Sequence, residues 1–236
     1  MSMPTKIGVF GKNKTKVRKF ERLLKENGFK TGFNEAEMII SLGGDGTYLL
    51  AERKFPGIPK LLVRDDSICF NCVDKFNADD ADEVVSKLRN NAYEIATETK
   101  LQAFAKGRIR ICTNDLSIRN KDAWEAIRFG LKVNGKVIHK QLIGDGVVIA
   151  TPFGSTGYFS SITRKSFKKG IGIAFNNATI GIDPLVVEDD SEITANILRG
   201  TAELITDNDS RTIMLRKNDR VKVILAKEKA RLVRLH

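Results

Sequence analysis

The sequence predicts an α/β domain followed by an all-β one. It reads as a parallel, Rossmann-like sheet over residues 1–93, a sandwich-like domain over 94–226, and a closing segment, 227–236, that packs back on the first domain. Two observations predict this. Over residues 1–92, short apolar runs alternate with helical patterns, as parallel strands and their crossover helices do. After residue 93 the chain changes to strands punctuated by Asn, Gly and Asp, the turn residues of antiparallel hairpins.

The elements follow in order. "TKIGVF" at 5–10 is a first strand ending at Gly11. Residues 15–27 place Val17, Phe20, Leu23 and Leu24 at helical spacing, and Asn27-Gly28 stops the helix. Residues 37–42 are a second, buried strand, 47–54 start a helix, and "IPKLLV" at 58–63 is a third strand. Residues 79–90 carry Val84, Val85 and Leu88 on a helical face, with Asp79, Asp80 and Asp82 in the first turn, where negative charge suits the helix dipole. Beyond residue 93, "RIRICTNDLSIRN", "WEAIRFGLKVNGKVIHKQ" and "GDGVVIATPFGST" are β-rich. Asn134-Gly135 is a two-residue hairpin turn, and "RTIMLRKNDRVKVILA" alternates around an Asn218-Asp219 turn.

Composition narrows the function classes. The chain has 236 residues, 42% hydrophobic and 29% charged, as in ordinary globular domains. No apolar run approaches the roughly 20 residues that span a bilayer. The opening residues lack the apolar core of a secretory leader. A cytoplasmic protein with no membrane partner is expected. Cys69, Cys72 and Cys112 form no even disulfide framework, and the CxxC at 69–72 lacks further ligands at zinc spacing. The net charge is +11, yet no basic run is interleaved with aromatics and no zinc finger is present. A phosphate-bearing small molecule therefore fits better than nucleic acid. Arg164, Lys165, Lys168 and Lys169 are either a solvated loop or cations that reach such phosphates.

The chemistry concentrates in "SLGGDGTYLL", where Gly43, Gly44 and Gly46 surround Asp45 between a strand and a helix. Glycines bring backbone close to a ligand, and a turn that opens a helix presents N–H groups to phosphate. A carboxylate there would repel a bare phosphate. It fits if a cation intervenes, or if it takes the proton of a hydroxyl attacking that phosphate. The turn thus points to phosphoryl transfer to an alcohol. Taken alone it also fits a tight turn in which Asp45 caps the next helix. No Walker loop is present.

Two further motifs accompany it. "TND" at 113–115 ends a strand, and "GDGVVIATPFGSTGY" at 144–158 joins an acid, a strand and a turn rich in hydroxyls. Hydroxyls and backbone groups suit a base and sugar edge, and acids suit ribose diols. GGDGT, then Asn-acid, then GDG…ATPxGST-x-Y, in this order, resembles the NAD kinase family, within the wider GGDGT-containing superfamily that includes lipid kinases. The resemblance covers residues 37–225. It implies an α/β domain and a β-sandwich-like domain that hold NAD between them, with ATP or polyphosphate as donor and Mg²⁺ or another divalent cation as cofactor, held mainly by the donor's phosphates. NAD and NADP are the implied partners, and the implied assembly is a homo-oligomer, dimer or tetramer.

By this resemblance Asp45 is the general base toward the 2′-hydroxyl of the adenosine ribose, and Gly43, Gly44, Gly46 and Thr47 hold phosphates. Asn114 and Asp115 match an Asn-Glu pair at the NAD ribose region. Asp145 matches an acid near the nicotinamide ribose, and Thr151, Ser155, Thr156 and Tyr158 match the adenosine-binding segment. Asp207 matches the Asp of an Asp-Gly pair, with Asn208 in place of the glycine and able to adopt its left-handed conformation. Three departures stand out: Asp115 for Glu, "FSSITRKSFKKG" for a Gly-Gly-Pro segment, and "LLVRDDSICF" for a glycine-rich run. The other readings are an NAD- or NADP-binding regulator without turnover and a lipid kinase, against which the hydroxyl- and acid-rich 144–158 segment argues.

Overall fold

A computed structural model describes residues 4–65 and 76–236. Cys69 and Cys72, and the "LLVRDDSICF" run beyond Asp65, lie outside the described residues. The chain forms two compact units, Met1–Glu98 with Lys229–His236, and Thr99–Glu228. Among the described residues no helix is long and apolar enough to cross a membrane.

The first unit runs β1 (Lys6–Gly11), α1 (Lys14–Glu26), β2 (Lys30–Thr31), β3 (Met38–Leu42), α2 (Asp45–Lys54), β4 (Lys60–Val63), α3 (Ala81–Arg89) and the start of β5 (Tyr93–Ala105). Strands pair in parallel in the order β2-β1-β3-β4, and Leu232 and Val233 near the chain's end pair in parallel with Lys60 and Leu61. Asn13 caps α1, its side chain accepting from the Lys16 N–H at 3.1 Å.

Side-chain alternation divides the sheet into two faces. Ile7, Val9, Met38, Ile40, Leu42, Leu61 and Val63 bury against Val17, Phe20 and Leu24 of α1 and Val84, Val85 and Leu88 of α3. The intervening residues, Ile39, Ser41, Lys60 and Leu62, turn to the other face, where α2 lies with Tyr48, Ala51 and Glu52 buried. Helices on both faces make the sheet doubly wound. β1 leads through α1 to β2 on one side, while β3 lies on its other side. The winding therefore reverses between β1 and β3, and ligands bind beyond the carboxyl ends of strands at such a reversal. GGDGT begins at the end of β3.

One feature of this unit was not visible in the pattern. Lys60, in the middle of the sheet, is 0% exposed and forms an ion pair with Glu52 of α2, itself 2% exposed. Its ammonium also donates to the Phe55 carbonyl. "IPKLLV" read as an apolar strand, and the lysine is accommodated because α2 brings a carboxylate directly over it.

The second unit is antiparallel. It continues with β6 (Arg108–Cys112), β7 (Asp115–Asn120), β8 (Ile127–Val133), β9 (Lys136–Gly144), β10 (Gly146–Ala150), α4 (Tyr158–Thr163), β11 (Ile171–Asn176), β12 (Leu185–Val187), β13 (Ile193–Arg199), β14 (Ala202–Thr206), β15 (Ile213–Leu215) and β16 (Arg220–Leu235). One sheet has the order β12-β11-β10-β7-β14-β15. Its inner face, with Leu116, Ile118, Val147 and Ile149, packs on Phe129, Leu131, Ile193, Val221 and Val223 of strands β8, β13 and β16. Asn134 and Gly135 both take positive φ, 50° and 75°, as the β8–β9 turn requires.

The sequence suggested only a turn after Ala150. The structure instead has a 3₁₀ turn at Phe153–Thr156 and then α4. The reason is that β10 is buried on both faces. Val148 and Ala150 need cover on the outer side, and Phe159 with Tyr158, Ile162 and Phe167 provides it.

The Glu52–Lys60 pair makes a testable distinction. Lys60→Met alone strands a buried carboxylate and is expected to destabilise the protein by about 3–5 kcal/mol, whereas Lys60→Met with Glu52→Leu is expected to be near neutral. Denaturant unfolding of the two variants checks this.

Candidate functional site

The first group of site residues lies where β3 meets α2. Gly44 is the N-cap of α2 and Asp45 its first helical residue, so Asp45 does not cap the helix; the glycine before it holds that position. Gly43 has φ 152°, and a Cβ there would stand 2.4 Å from Thr47 Oγ1. Only glycine lets the chain turn this tightly. The Gly43 N–H donates to Val63 O at 2.8 Å and that of Thr47 to Gly44 O at 2.9 Å. Gly43 and Thr47 are buried. These two matches to the phosphate loop therefore shape the turn, while Gly46 is exposed and Gly44 and Asp45 are half-buried at its surface.

The second group lies in the other unit, at one end of three adjacent strands. β7 starts at Asp115, β10 ends at Ala150 and β14 ends at Thr206, with Ala150 and Asp115 directly paired. The Asp207 carboxylate accepts the N–H groups of Thr113 at 2.9 Å, Asn114 at 2.8 Å and Asp115 at 3.3 Å. Asp207 itself has φ 47°, so the left-handed residue of this turn is Asp207 and not Asn208. The Thr151 hydroxyl is directed at the carbonyls of Thr113 (2.6 Å) and Asn114 (3.1 Å), and it accepts the Gly154 N–H at 3.0 Å. A Cβ on Gly154 would stand 2.1 Å from the Asn114 carbonyl oxygen, so this contact requires glycine.

Several residues expected to face a ligand therefore build the site instead. Asp207 and Thr151 hold the 113–115 turn, and Ser155, 2% exposed, donates to the Phe167 carbonyl at 3.0 Å. Small polar side chains beside unpaired backbone groups satisfy those groups first. Asn114 is different, because its Oδ1 is buried with no partner among the described residues. Thr156 is exposed. Tyr158, on α4, accepts from Asn176 Nδ2 at 3.1 Å.

Asp115 carries the main electrostatic feature. Burial pushes its carboxyl up to about 7, and the neighbouring Asp207 charge adds to the rise. Asp145 lies at the other end of β10, about 17 Å along the strand at the usual rise. It accepts from Asn177 Nδ2 at 2.6 Å. The structure thus gathers Asn114, Asp115, Thr151 and Asp207, and leaves Asp145 apart from them. Asn176 and Asn177 were missed in the sequence, although an Asn pair directly after an apolar strand is a visible signal. Arg164, Lys165, Lys168 and Lys169 are all exposed after α4. Among the described residues no three His, Cys, Asp or Glu side chains form a metal cage.

Comparison with known proteins identifies the family. Residues 113–235 match the family model of the ATP-NAD kinase C-terminal domain. The bifunctional NADP phosphatase/NAD kinase of Methanococcus maripaludis is 26% identical over 217 residues, covering 84% of this chain and 38% of that protein. An NAD kinase of Bacteroides fragilis is 29% identical over 189 residues, covering 76% of this chain and 62% of that protein. The chain thus spans less than two thirds of the length of both. Among solved structures, yeast NADH kinase complexed with NADH superposes with a TM-score of 0.86 at 16% identity, covering 98% of this chain and 84% of that one. An Archaeoglobus fulgidus NAD kinase in complex with ATP gives 0.81 at 17% identity, with 96% and 92% covered. At these identities the structures establish the fold.

The Asp115 environment has a pH signature. Its folded value of about 7 lies above the ordinary 3.8, so the ionised form is the disfavoured one in the folded protein. The penalty is absent below about pH 4, grows as pH rises, and is complete above about pH 7. Asp115→Asn is therefore expected to gain stability over wild type progressively across that window, as unfolding at about pH 5 and pH 8 would show. Asp207→Asn removes one cause of the rise and leaves burial. Asp115 should then titrate below about 7 yet above 3.8, measurable by carboxyl NMR.

Proposed function

The chain belongs to the ATP-NAD kinase family, and from that premise we propose that it phosphorylates the 2′-hydroxyl of the adenosine ribose of NAD to give NADP. The observation that carries the reading is the placement of Asp45. It opens α2 at the carboxyl edge of a parallel sheet, at the reversal of winding where such sheets bind ligands. The ATP complex of the Archaeoglobus fulgidus neighbour favours ATP as donor, with polyphosphate as the alternative.

In this mechanism the Asp45 carboxylate takes the proton of the 2′-hydroxyl as that oxygen attacks the γ-phosphorus. The bond from the γ-phosphorus to the bridging oxygen breaks and ADP leaves. The glycine turn brings backbone close to the donor. Asp45 is a hard oxygen donor beside it, a fit for Mg²⁺ carried on the donor's phosphates, where the ion would neutralise developing charge. Asn114 and Asp115 hold the ribose region, positioned by Asp207 and Thr151. Thr156 and Tyr158 line the adenosine half, and Asp145 serves the nicotinamide ribose. The working form is a cytoplasmic homo-oligomer.

NADP formation from NAD with Mg²⁺ and either ATP or polyphosphate tests the reading. Asp45→Asn is expected to lower turnover by about 100-fold or more, while NAD affinity measured by calorimetry stays close to wild type. Near-normal turnover in the variant would remove Asp45 as the base. NAD binding with no turnover in wild type would favour a regulator.

A further inference from the structure

Arg64 follows the last residue of β4. Leu42 and Val63 are partners across the β3–β4 ladder, and the Gly43 N–H donates to Val63 O at 2.8 Å. In a parallel ladder that bond puts Arg64 opposite Gly43. Side chains alternate along a strand, so Arg64 shares the face of Lys60 and Leu62, which is the face α2 covers. α2 begins at Asp45, two residues beyond Gly43. A guanidinium therefore stands on the sheet face from which α2 springs, beside the glycine turn.

Its backbone is fixed there. The Arg64 N–H donates to Phe76 O at 2.9 Å, and its carbonyl accepts from the Ala78 N–H at 2.7 Å. Lys16 of α1 holds the next residue, donating from Nζ to the Asp65 carbonyl at 3.0 Å. Lys60, on the same face, is already paired with Glu52. Arg64 Nε, in contrast, is buried and has no acceptor among the described residues. A buried guanidinium donor without an acceptor is unfavourable, and a phosphate oxygen is the acceptor its planar fork matches best.

The geometry points to Arg64 as a binding residue for the phosphates of the donor, a phosphoanhydride, at the turn that carries Asp45. This rests on the kinase reading for the identity of the acceptor alone. The site itself, an arginine beside a glycine turn at a sheet reversal, selects the donor's phosphate chain whatever hydroxyl attacks it. Arg64 faces the charge that builds up on the transferring group, where a fixed cation acts most strongly.

Inorganic tripolyphosphate with Mg²⁺ is titrated calorimetrically into wild type, Arg64→Met and Arg64→Lys, and NADP formation is followed in parallel. Methionine keeps much of the apolar stem, so packing is largely retained. The dissociation constant is expected to rise about 10- to 100-fold in Arg64→Met and less in Arg64→Lys, which keeps the charge and loses the fork. The Michaelis constant for ATP should rise in step while that for NAD stays constant. Should Arg64→Met fail to fold, Arg64→Lys decides alone, and an unchanged dissociation constant there overturns the assignment. Binding that Arg64→Met does not weaken overturns it too, as does no binding by wild type, even if NADP is formed. Arg64-dependent binding without NADP formation upholds the assignment and rejects only NAD as acceptor.

Discussion

The second unit's candidate site depends on one carboxylate. Asp207 accepts three consecutive backbone N–H groups, those of Thr113, Asn114 and Asp115. Thr113 and Asn114 precede β7 and Asp115 is its first residue, so Asp207 supplies an acceptor to N–H groups at the very start of the strand. The hydroxyl of Thr151 does the complementary work on the carbonyl side of the same turn. Donors and acceptors of residues 113–115 are thus satisfied from two neighbouring strand ends. The side chain of Asn114 is left with a buried oxygen that has no partner among the described residues. A turn built this way presents an amide in a fixed pose, because no backbone group in it gains by rotating away.

The first unit solves a different problem, that of starting a helix at an acid close to the sheet. Gly43 allows the turn, and Thr47 occupies the space its missing side chain leaves. Two helical turns below Asp45, Glu52 is locked to Lys60 inside the unit. Residues seven apart lie on nearly the same helix face, so this pair opposes rotation of α2 about its axis. A buried ion pair adds little net stability over a well-packed apolar pair. Its directional demand is what an apolar pair lacks, and here that demand bears on the helix that carries Asp45.

Much of this was legible in the sequence. Apolar periodicity located β1, α1, β3, β4 and α3, and Asn134-Gly135 marked its hairpin, because each signal is local. The glycine-wrapped Asp45 was legible for the same reason, since its conformation follows from its neighbours. What escaped were pairings across distance. Nothing near Lys60 announces that Glu52 will lie over it, and the IPKLLV run reads as an apolar strand with a stray lysine. Thr151, Ser155 and Asp207 were expected to face a ligand because they match the family's motifs. Their hydroxyls and carboxylate face inward because the backbone of residues 113–115 and 167 needs partners, a need that appears only once β7, β10 and α4 are packed. α4 escaped as well, since its existence follows from β10 being covered on both faces.

The same residue type thus does four kinds of work in one chain. Asp45 stands half-buried at a helix start, where the dipole suits a negative charge. Asp207 is occupied by backbone N–H groups, and Asp145 is held by an asparagine. Asp115 sits next to Asp207 in a buried place and is pushed up to about 7. The effects at Asp207 and Asp115 are linked: the charge that organises the 113–115 turn also disfavours ionisation of Asp115. Asp115 is therefore poised to donate as an acid or accept as an anion near neutral pH, a property no count of acids could reveal. It arises from burial first, and then because the turn is closed by a carboxylate rather than by a neutral acceptor, so the interaction that shapes this site also bears on its charge.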